Sequence, residues 1–337
     1  MTYAAKITGT GSAFPEFRLT NDAISEKLAS LNIETSDQWI RERTGIRERR
    51  ISNENNPEEY NSALGFRAAK LALDMAGKNP LDIDQIVYAT CSPDTQLPST
   101  ACWLQHRLGA ANAWAMDVNA ACSGFIYGLA TADQFIRSGH AKTVLVIGAE
   151  VLSHFINWND RNVCILFGDG AGAAIVEQEP EDTQHRILSS SMQSNGDLWE
   201  LLYIPSGGSQ MPVTPERQDQ FLNKIRMNGK EIFKVAVRTL AQLANDELTK
   251  NGMTVADIDW FIPHQANRRI IEAVADRVGV SMEKVLINLD RYGNTSAATV
   301  PTVLDEAVRD GRIQKGQHLL LDAFGSGLTY GAMLIRW

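Results

Sequence analysis

The chain has 337 residues, with 32 Lys and Arg against 40 Asp and Glu, which gives a formal net charge of −8. This charge argues against a general affinity for nucleic acid or for an anionic membrane. No apolar stretch approaches the ~18 residues that span a bilayer, and residues 1–9 lack the charged-then-apolar pattern of a signal peptide. The four cysteines are irregularly spaced and fit neither a zinc site nor a disulfide framework. We therefore expect a reduced, cytoplasmic protein.

The predicted elements alternate between strands and helices, which is typical of a layered α/β fold. In chain order they are a strand at 1–9, a helix at 63–75, a strand at 113–118, a helix at 124–136, a strand at 143–148, helices at 235–248 and 268–278, and a strand at 318–323. The pattern repeats after about 175 residues, because LDIDQIV at 81–87 resembles ADIDWFI at 256–262. In each half a second strand leads to a turn of small residues, at 119–124 and at 293–297. A duplicated core is therefore predicted, in a chain longer than the ~100–200 residues of one domain.

The middle of the chain differs in composition from both halves. Residues 177–220 contain several prolines, a Gly-Gly pair and many polar side chains. This composition is typical of a linker or an extended surface loop. The predicted organisation is an N-terminal half at 1–176, this linker, and a C-terminal half at 221–337.

Cys122 is the candidate nucleophile. It lies where the strand at 113–118 gives way to the helix at 124–136. Unpaired N–H groups at a helix N-terminus carry a partial positive charge, which favours a thiolate over a thiol. Small neighbours such as Ala121 and Gly124 leave room for a substrate carbonyl. The alternative is an inert buried cysteine, which is the commoner state of a free cysteine.

Two polar residues of the second half occupy similar turns. His264 follows a predicted strand near the start of the helix at 268–278, and a helix N-terminus disfavours imidazolium, so we expect a neutral ring that donates an N–H to a carbonyl oxygen. The side-chain amide of Asn294 is a second donor. Taken singly, His264 is more often a packing residue and Asn294 a helix cap. The occurrence of all three residues at corresponding turns of a duplicated fold favours a catalytic set.

Two glycine-rich turns lie beside these residues. FGDGAG at 167–172 lacks the Lys-Ser/Thr ending of a phosphate loop, so tight backbone packing is the favoured interpretation. FGSGL at 324–328 follows the last repeated strand. Its backbone N–H groups at Gly325 and Ser326, with that of Cys122, are candidates for an oxyanion hole.

The chain resembles the β-ketoacyl-acyl carrier protein synthase III family, the initiating condensing enzymes of type II fatty-acid synthesis within the thiolase superfamily. The motifs that carry the resemblance are WIRERTGI at 39–46, NAACSG at 119–124, FGDGAG at 167–172, PHQAN at 263–267 and GNTS at 293–296. It implies a thiolase-like α/β fold with a duplicated αβαβα core of layered mixed sheets. It also implies that Cys122, His264 and Asn294 form a triad. Asn294 argues against the chain-elongating sister enzymes, which have a second His there, and the turn at 324–328 lacks the second Cys that thiolases need.

The resemblance further implies a coenzyme A channel. The residues that it implies at the nucleotide end, where the adenine would stack on an indole, are Trp39, Arg43, Thr44 and Arg161, the last just before a predicted strand at 162–167. Those that it implies along the pantetheine arm and at the mouth are Gly229, Phe233, Ala266, Asn267 and Arg269. An acidic carrier protein would dock on a basic rim that includes Lys230, Arg268 and Arg269.

The activity that the resemblance implies is a two-stage acyl transfer. Cys122 accepts the acyl group of a short acyl-CoA, with acetyl-CoA as the default primer, and malonyl-acyl carrier protein (malonyl-ACP) is then decarboxylated and condensed to 3-oxoacyl-ACP. No metal or redox cofactor is implied, since CoA enters as the substrate thioester and phosphopantetheine is carried by the ACP. A homodimer is implied, in which the partner subunit helps to shape the primer pocket. The alternatives are a related condensing enzyme or acyltransferase of secondary metabolism and, from another class, a non-catalytic acyl-binding scaffold.

Overall fold

The structure is a computed structural model that describes residues 3–337, so the first two residues of the predicted strand at 1–9 lie outside the described part. The strands are β1 (Tyr3–Ala13), β2 (Arg18–Thr20), β3 (Glu48–Arg50), β4 (Gln85–Ala89), β5 (Trp114–Val118), β6 (Thr143–Glu150), β7 (Gly170–Pro180), β8 (Arg186–Ser194), β9 (Leu202–Tyr203), β10 (Arg226–Met227), β11 (Trp260–Pro263), β12 (His318–Gly325) and β13 (Thr329–Arg336). The helices are α1 (Asn21–Ala29), α2 (Asp37–Thr44), α3 (Asn61–Ala76), α4 (Thr100–Leu108), α5 (Gly124–Arg137), α6 (Arg161–Cys164), α7 (Pro215–Asp219), α8 (Gly229–Lys250), α9 (Arg268–Val278), α10 (Leu289–Tyr292) and α11 (Thr299–Arg309). None of these helices is long and apolar enough to cross a membrane.

The structure contains two mixed sheets, and corresponding strands of the two repeats occur in the same order in each. In the first sheet, ordered β1-β7-β6-β4-β5, β4 is parallel to β5 and β6, and β7 is antiparallel to β6 and β1. In the second, ordered β11-β12-β13-β8, β11 is parallel to β12, and β13 is antiparallel to β12 and β8. A single parallel bridge between Phe261 and Val285 replaces the second strand predicted before residue 293. The matching order confirms the predicted duplication.

The sheets and helices form the layers of an αβαβα sandwich. Helices α5 and α11 lie between the two sheets, where Phe125, Leu129 and Leu304 join strand residues in one buried core. Helices α3 and α4 cover the outer face of the first sheet, and α8 and α9 cover the outer face of the second. The apolar stripe of each helix is buried against a sheet, so burial of these stripes holds the layers together.

Helix ends follow from local capping. The helix predicted at 268–278 is α9, whose first turn is capped by Asn267, with Ile270 N donating to Asn267 Oδ1 at 3.2 Å. It ends at Gly279, whose φ of 90° suits a residue without a Cβ. Helix α8 begins at Gly229, ahead of the predicted start at 235, because Asn228 caps it.

The segment at 177–220, predicted as a linker or surface loop, differs from that prediction at β8. This strand pairs with β13 at the edge of the second sheet and occupies the place that β1 has in the first. The hydroxyls of Ser189 and Ser191 bind the buried carboxylate of Glu247. Because serines stand where a strand usually shows apolar side chains, the alternation that predicts a strand is missing. The second repeat therefore begins at Arg186, ahead of the predicted boundary at 221.

Candidate active site

The nucleophile turn is a short 3-10 segment, Ala121–Ser123, between β5 and α5. Ala121 has a φ of 44°, an unusual value for a residue with a Cβ, and Cys122 is 7% exposed. The turn is also held from the second repeat, because the Thr329 hydroxyl donates to Ala120 O at 2.8 Å and lies 2.7 Å from Ser123 Oγ.

The second repeat builds the same turn at Ser296–Ala298. Ser296, with a φ of 52°, corresponds to Ala121. In both turns an asparagine accepts the N–H of this residue, since Ser296 N donates to Asn294 Oδ1 at 2.9 Å and Ala121 N donates to Asn119 Oδ1 at 3.4 Å. The carbonyl oxygen of the Asn294 side chain is thereby engaged, and its Nδ2 is the group that can donate to a substrate.

His264 follows strand β11 and is held by contacts with strand β12 and helix α11. Its backbone N donates to Asp322 O at 2.8 Å, and its Nδ1 lies 2.7 Å from the Thr299 hydroxyl, which is 2.9 Å from Ser296 O. A hydroxyl has one hydrogen, so Thr299 donates either to Ser296 O or to Nδ1, and in the second case the ring hydrogen is on Nε2. Burial lowers the pKa of His264 to about 3. The ring is neutral as predicted, but the cause is burial rather than α9, which begins only at Arg268.

The prediction that a helix N-terminus favours a thiolate at Cys122 is wrong for this structure. Burial raises the pKa of Cys122 to about 12; the hydrogen bond with the Ser296 side chain opposes this rise, and the charge of Glu150 adds to it. Loss of hydration of the sulfur anion is the largest contribution to this rise. Cys122 is therefore a thiol at neutral pH, and it needs a proton acceptor when it reacts.

The segment at 294–299 connects the three predicted catalytic residues. Ser296 N donates to Asn294 Oδ1, the Thr299 hydroxyl lies 2.7 Å from His264 Nδ1, and Ser296 lines the same cavity as Cys122. All three predicted residues are nearly buried, with 5 to 7% of their surface exposed. His264 and Asn294 are not among the residues that line the cavity at Cys122, and the action of the three residues as one catalytic set stays a prediction.

The glycines at 167–172 serve packing, as predicted. A Cβ at Gly168 would lie 2.3 Å from Tyr292 O, and one at Gly172 would lie 2.6 Å from Pro301 Cβ. Gly168 N also donates to Asn294 O at 3.0 Å, next to a bridge between Phe167 and Asn294. This turn therefore fixes the backbone that carries the carboxamide.

The turn after β12 lies against the nucleophile turn. A Cβ at Gly325 would be 2.7 Å from Cys122 N and 3.1 Å from Ser123 N, so only glycine allows this approach. The Ser326 hydroxyl donates to Leu202 O. The two segments predicted to form an oxyanion hole are thus side by side.

Cys122 opens on an inner cavity of 410 Å³. Most of its wall surface is apolar, and the apolar wall residues are Ala121, Leu152, Phe167, Leu202, Ile204 and Ile225. Polar atoms are contributed by Cys91, Asn119, Tyr203, Ser296, Ser326 and Thr329. Such a chamber suits a hydrocarbon chain whose reactive end lies at the sulfur.

An outer cavity of 910 Å³ contains eight of the nine residues predicted to bind CoA. These are Trp39, Arg43, Thr44, Arg161, Gly229, Phe233, Asn267 and Arg269. Ala266 is the exception, since it packs against the core beneath α8 and α9 and does not line the cavity. Of the predicted docking residues, Lys230 and Arg269 line this cavity, whereas Arg268 points its Nε to Glu272 Oε1 at 2.7 Å.

Trp39 is the centre of the outer cavity's basic wall. The guanidinium carbons of Arg43 and Arg161 lie 4.4 and 4.5 Å from the centroid of its ring, which are cation–π contacts. Arg161 begins the short helix α6 rather than preceding a strand at 162–167, and Asp160 caps that helix by accepting from Asn162 N at 2.9 Å. A helix of one turn is too short to show a helical period in the sequence.

The two cavities adjoin along two stretches of chain. Ile165 and Leu166 line the outer cavity and Phe167 lines the inner one, while Ile225 lines the inner cavity and Met227 the outer one. The outer cavity, with the basic surface around Trp39, is therefore a neighbour of the cavity at the buried thiol. Two neighbouring cavities of this kind suit a long thioester whose nucleotide end stays in the outer one.

Sequence reasoning missed two polar residues of this site, Ser296 and Glu150. Ser296 ended the quoted GNTS motif but received no role, although it lines the cavity at Cys122 and its hydroxyl donates to Glu150 Oε1 at 3.1 Å. Glu150 is completely buried at the end of β6. The signal that could have revealed it is a single carboxylate at the end of the apolar run at 143–149, because a buried acid requires dedicated partners.

Comparison with known proteins identifies the family of this chain. The family profiles described as "3-Oxoacyl-[acyl-carrier-protein (ACP)] synthase III" and its C-terminal part match residues 116–196 and 248–337. A β-ketoacyl-[acyl-carrier-protein] synthase III from Caldanaerobacter subterraneus is 50% identical over 334 residues, which are 99% of this chain and 98% of that protein. The chain belongs to the β-ketoacyl-acyl carrier protein synthase III family.

Solved structures of synthase III enzymes have the same thiolase-like fold. The enzyme from Aquifex aeolicus is 44% identical, with a TM-score of 0.88, and the match covers 99% of this chain and 100% of that one. The priming β-ketosynthase of the R1128 polyketide pathway is 33% identical, with a TM-score of 0.89, over 99% of this chain and 96% of that one. The fold predicted from the motifs is thus confirmed.

Proposed function

We propose that this synthase III catalyses the decarboxylative Claisen condensation of a short acyl-CoA with malonyl-ACP. The products are 3-oxoacyl-ACP, CoA and CO2, and the reaction initiates type II fatty-acid synthesis. The observation that carries the proposal is the position of Cys122, which ends an apolar chamber adjoining a basic cavity around Trp39. An acyl chain fits the apolar chamber, and a nucleotide fits the basic cavity.

In the first stage the Cys122 sulfur attacks the thioester carbonyl, and the proton of the thiol leaves with the CoA thiolate as CoASH. The oxygen that becomes negative is stabilised by the N–H of Cys122 and those of the adjoining turn at Gly325 and Ser326. Each well-placed donor of this kind contributes roughly 100- to 1,000-fold to the rate. The close approach of Gly325 to Cys122 supports this assignment.

In the second stage His264 and Asn294 bind the thioester oxygen of malonyl-ACP while CO2 departs. Negative charge develops on that oxygen, so donors that are already in place stabilise the transition state. Asn294 donates through Nδ2, and His264 donates through Nε2 when Thr299 gives its hydrogen to Nδ1. The carbanion then attacks the acyl group, and Cys122 leaves as a thiolate. The balance of these steps requires no metal or redox cofactor.

The outer cavity is proposed to hold CoA first and the phosphopantetheine of the carrier protein afterwards. On a protein of net charge −8, the rim formed by Arg43, Arg161, Lys230 and Arg269 is a local positive surface. Such a rim suits the phosphates of CoA and an acidic carrier protein. Arg268 belongs to this docking proposal as an exposed neighbour of Arg269.

A homodimer is also proposed, on the evidence of an apolar surface at the edge of the first sheet. Strand β5 is that edge, and Trp114 on it and Trp103 on α4 are 41 and 43% exposed. Leu97, in the loop before α4, is 87% exposed. An edge strand with exposed apolar side chains is suited to pairing with a second copy. The cytoplasmic location stays a prediction from composition.

Turnover with a panel of acyl-CoAs and malonyl-ACP tests the function. We expect 3-oxoacyl-ACP, detected by mass spectrometry, with one CO2 released for each CoA. The similarity to the R1128 priming ketosynthase makes a specialised primer the second candidate, and a clear preference for an unusual acyl-CoA would favour it. Transfer of the acyl group without loss of CO2, or binding without release of CoA, would contradict the condensing function.

A further inference from the structure

Arg49 is a buried cation to which the mechanism above gives no role. It lies on β3 with none of its surface exposed, and burial lowers its pKa to about 10, so the guanidinium is still charged at neutral pH. Within the described part of the chain its hydrogen bonds go to neutral oxygens. Nη1 donates to Leu19 O at 3.2 Å and to Asn21 Oδ1 at 2.9 Å, and Nη2 donates to Ile165 O at 2.7 Å. A buried cation without a carboxylate partner lowers the stability of a fold, so packing alone does not account for it.

The guanidinium binds the short segment that carries the backbone of Asn294. This segment is residues 165–168, between α6 and β7. Asn294 N donates to Leu166 O at 2.9 Å, and Gly168 N donates to Asn294 O at 3.0 Å. Both backbone polar groups of Asn294 are therefore bonded to a stretch whose first carbonyl oxygen is held by Arg49.

Arg49 also packs against glycines on either side of this contact. A Cβ at Gly168 would lie 3.0 Å from the Cβ of Arg49, and a Cβ at Gly293 would lie 3.2 Å from it. The added Cβ at Gly293 would also lie 2.7 Å from Leu166 O. Arg49 thus contacts the residue before Asn294 and the residue that donates to the Asn294 carbonyl oxygen.

The other end of the segment is attached by bonds that do not involve the Arg49 side chain. Asp169 N donates to Arg50 O at 2.8 Å, and Ser52 N donates to Asp169 Oδ2 at 2.8 Å. Removal of the guanidinium is therefore expected to release the segment at residue 165 while residue 169 stays attached. The expected result is a local displacement rather than unfolding.

The direction of the Asn294 amide depends on this backbone. Ser296 N donates to Asn294 Oδ1 at 2.9 Å, so the carboxamide is oriented once the backbone at 294–296 is in place. Its Nδ2 is the donor proposed for the thioester oxygen of malonyl-ACP. A displacement of about 1 Å can lower the rate about 100-fold, because a donor stabilises developing charge only where it is already aligned.

We propose that Arg49 is a positioning residue for decarboxylation, which fixes the segment at 165–168 and, through it, the Nδ2 donor of Asn294. This inference rests on the proposed role of Asn294. The nucleophile turn is held by other contacts, from Thr329 and Gly325, so acylation does not depend on Arg49. Loss of the guanidinium therefore impairs the second stage and spares the first.

The test is a double-mutant cycle on malonyl-ACP decarboxylation. Arg49→Met removes the charge and keeps an unbranched side chain. In the native background we expect it to lower CO2 release, measured with enzyme in excess, about 10- to 100-fold, and to change single-turnover CoA release from acetyl-CoA by less than about twofold. In the Asn294→Asp background it should change CO2 release by less than about twofold, because the donor that Arg49 positions is already lost. A general defect of the fold would lower the rate by the same factor in both backgrounds.

Arg50→Met is the matched control. Arg50 is the neighbour of Arg49 on β3, but its Nη1 donates to Pro15 O at 3.1 Å and to Glu16 O at 3.2 Å rather than to the segment at 165–168. We expect both half-reactions to keep their native rates in this variant. Arg49→Lys keeps the charge but lacks the planar fork that bridges Asn21 and Ile165, so it should show the same non-additive loss. It decides the question if Arg49→Met does not fold.

Two results would overturn the proposal. One is an equal loss of decarboxylation in the two backgrounds, and the other is native decarboxylation in the Arg49 variants. If Asn294→Asp alone decarboxylates at the native rate, the role of Asn294 in the proposed function is wrong, and the role of Arg49 is wrong with it. If Asn294→Asp slows decarboxylation but the cycle is additive, only the role of Arg49 is wrong.

Discussion

A Cβ at Gly325 would lie 2.7 Å from the amide nitrogen of Cys122, so the last turn of the second repeat rests directly on the nucleophile of the first. Real Cβ atoms do not approach this closely, and the neighbouring atoms at this site belong to the backbone. The two halves of the duplicated fold therefore meet at the sulfur.

Gly325→Ala is expected to displace one of the two segments and remove an oxyanion donor. Acylation by acetyl-CoA should slow by about 100-fold or more, measured as release of CoA in a single turnover. Gly208→Ala is the control, because nothing lies within 4 Å of a Cβ there. Equal rates in the two variants would refute the role of the turn at 325–326.

Cys122→Ala is expected to abolish the acyl-enzyme, because no other group carries the acyl chain. Decarboxylation of malonyl-ACP should continue at a measurable rate, since the donors that act on it belong to His264 and Asn294. Intact-protein mass spectrometry measures the first effect and CO2 release the second. Full condensation by this variant would show that the nucleophile is elsewhere.

Asn294→Asp is expected to impair decarboxylation and to spare acylation, which is the reverse of Cys122→Ala. An Asp oxygen still accepts from Ser296 N, so the turn keeps its contact at 2.9 Å, but the amide donor is replaced by a carboxylate. Acylation should persist, while decarboxylation should fall roughly 100- to 1,000-fold. Normal condensation in this variant would remove Asn294 from the mechanism.

The low pKa of His264 affects how the rate of malonyl-ACP decarboxylation depends on pH. Burial lowers the pKa to about 3, so the ring stays neutral as the pH falls through 6.5, where an ordinary histidine becomes protonated. In Cys122→Ala, the titration of His264 should therefore not change the rate of malonyl-ACP decarboxylation between about pH 5 and 8. A rate that titrates with a midpoint near 6.5 and loses that midpoint in His264→Ala would show a cationic ring.

Trp39→Ala tests the nucleotide end of the outer cavity. Loss of a stacked base costs about 1–3 kcal/mol, so KM for acetyl-CoA should rise about 5- to 150-fold with little change in kcat. Acetyl-pantetheine is the matched substrate because it lacks the nucleotide, and its kcat/KM should not respond. An equal fall in kcat/KM with both thioesters would mean that Trp39 supports the fold rather than the adenine.

Local patterns in the sequence were sufficient for most of the architecture. Helix α9 occurs at its predicted bounds, because a capping Asn267 and a terminal Gly279 are local signals. Strand β8 was missed, because its serines face a carboxylate rather than an apolar layer. Helix α6 was missed because one turn has no period.

The residue types and spacing of the motifs identify Cys122, His264 and Asn294, because such chemistry needs a thiol and two donors and their order is characteristic of a family. Their protonation states depend on the fold. Burial, with the charge of Glu150, makes Cys122 a thiol, and burial makes His264 neutral. Loss of hydration depends on atoms from distant segments that only folding brings together, and so does the contact of Ser296 with Glu150 across 146 positions of the chain.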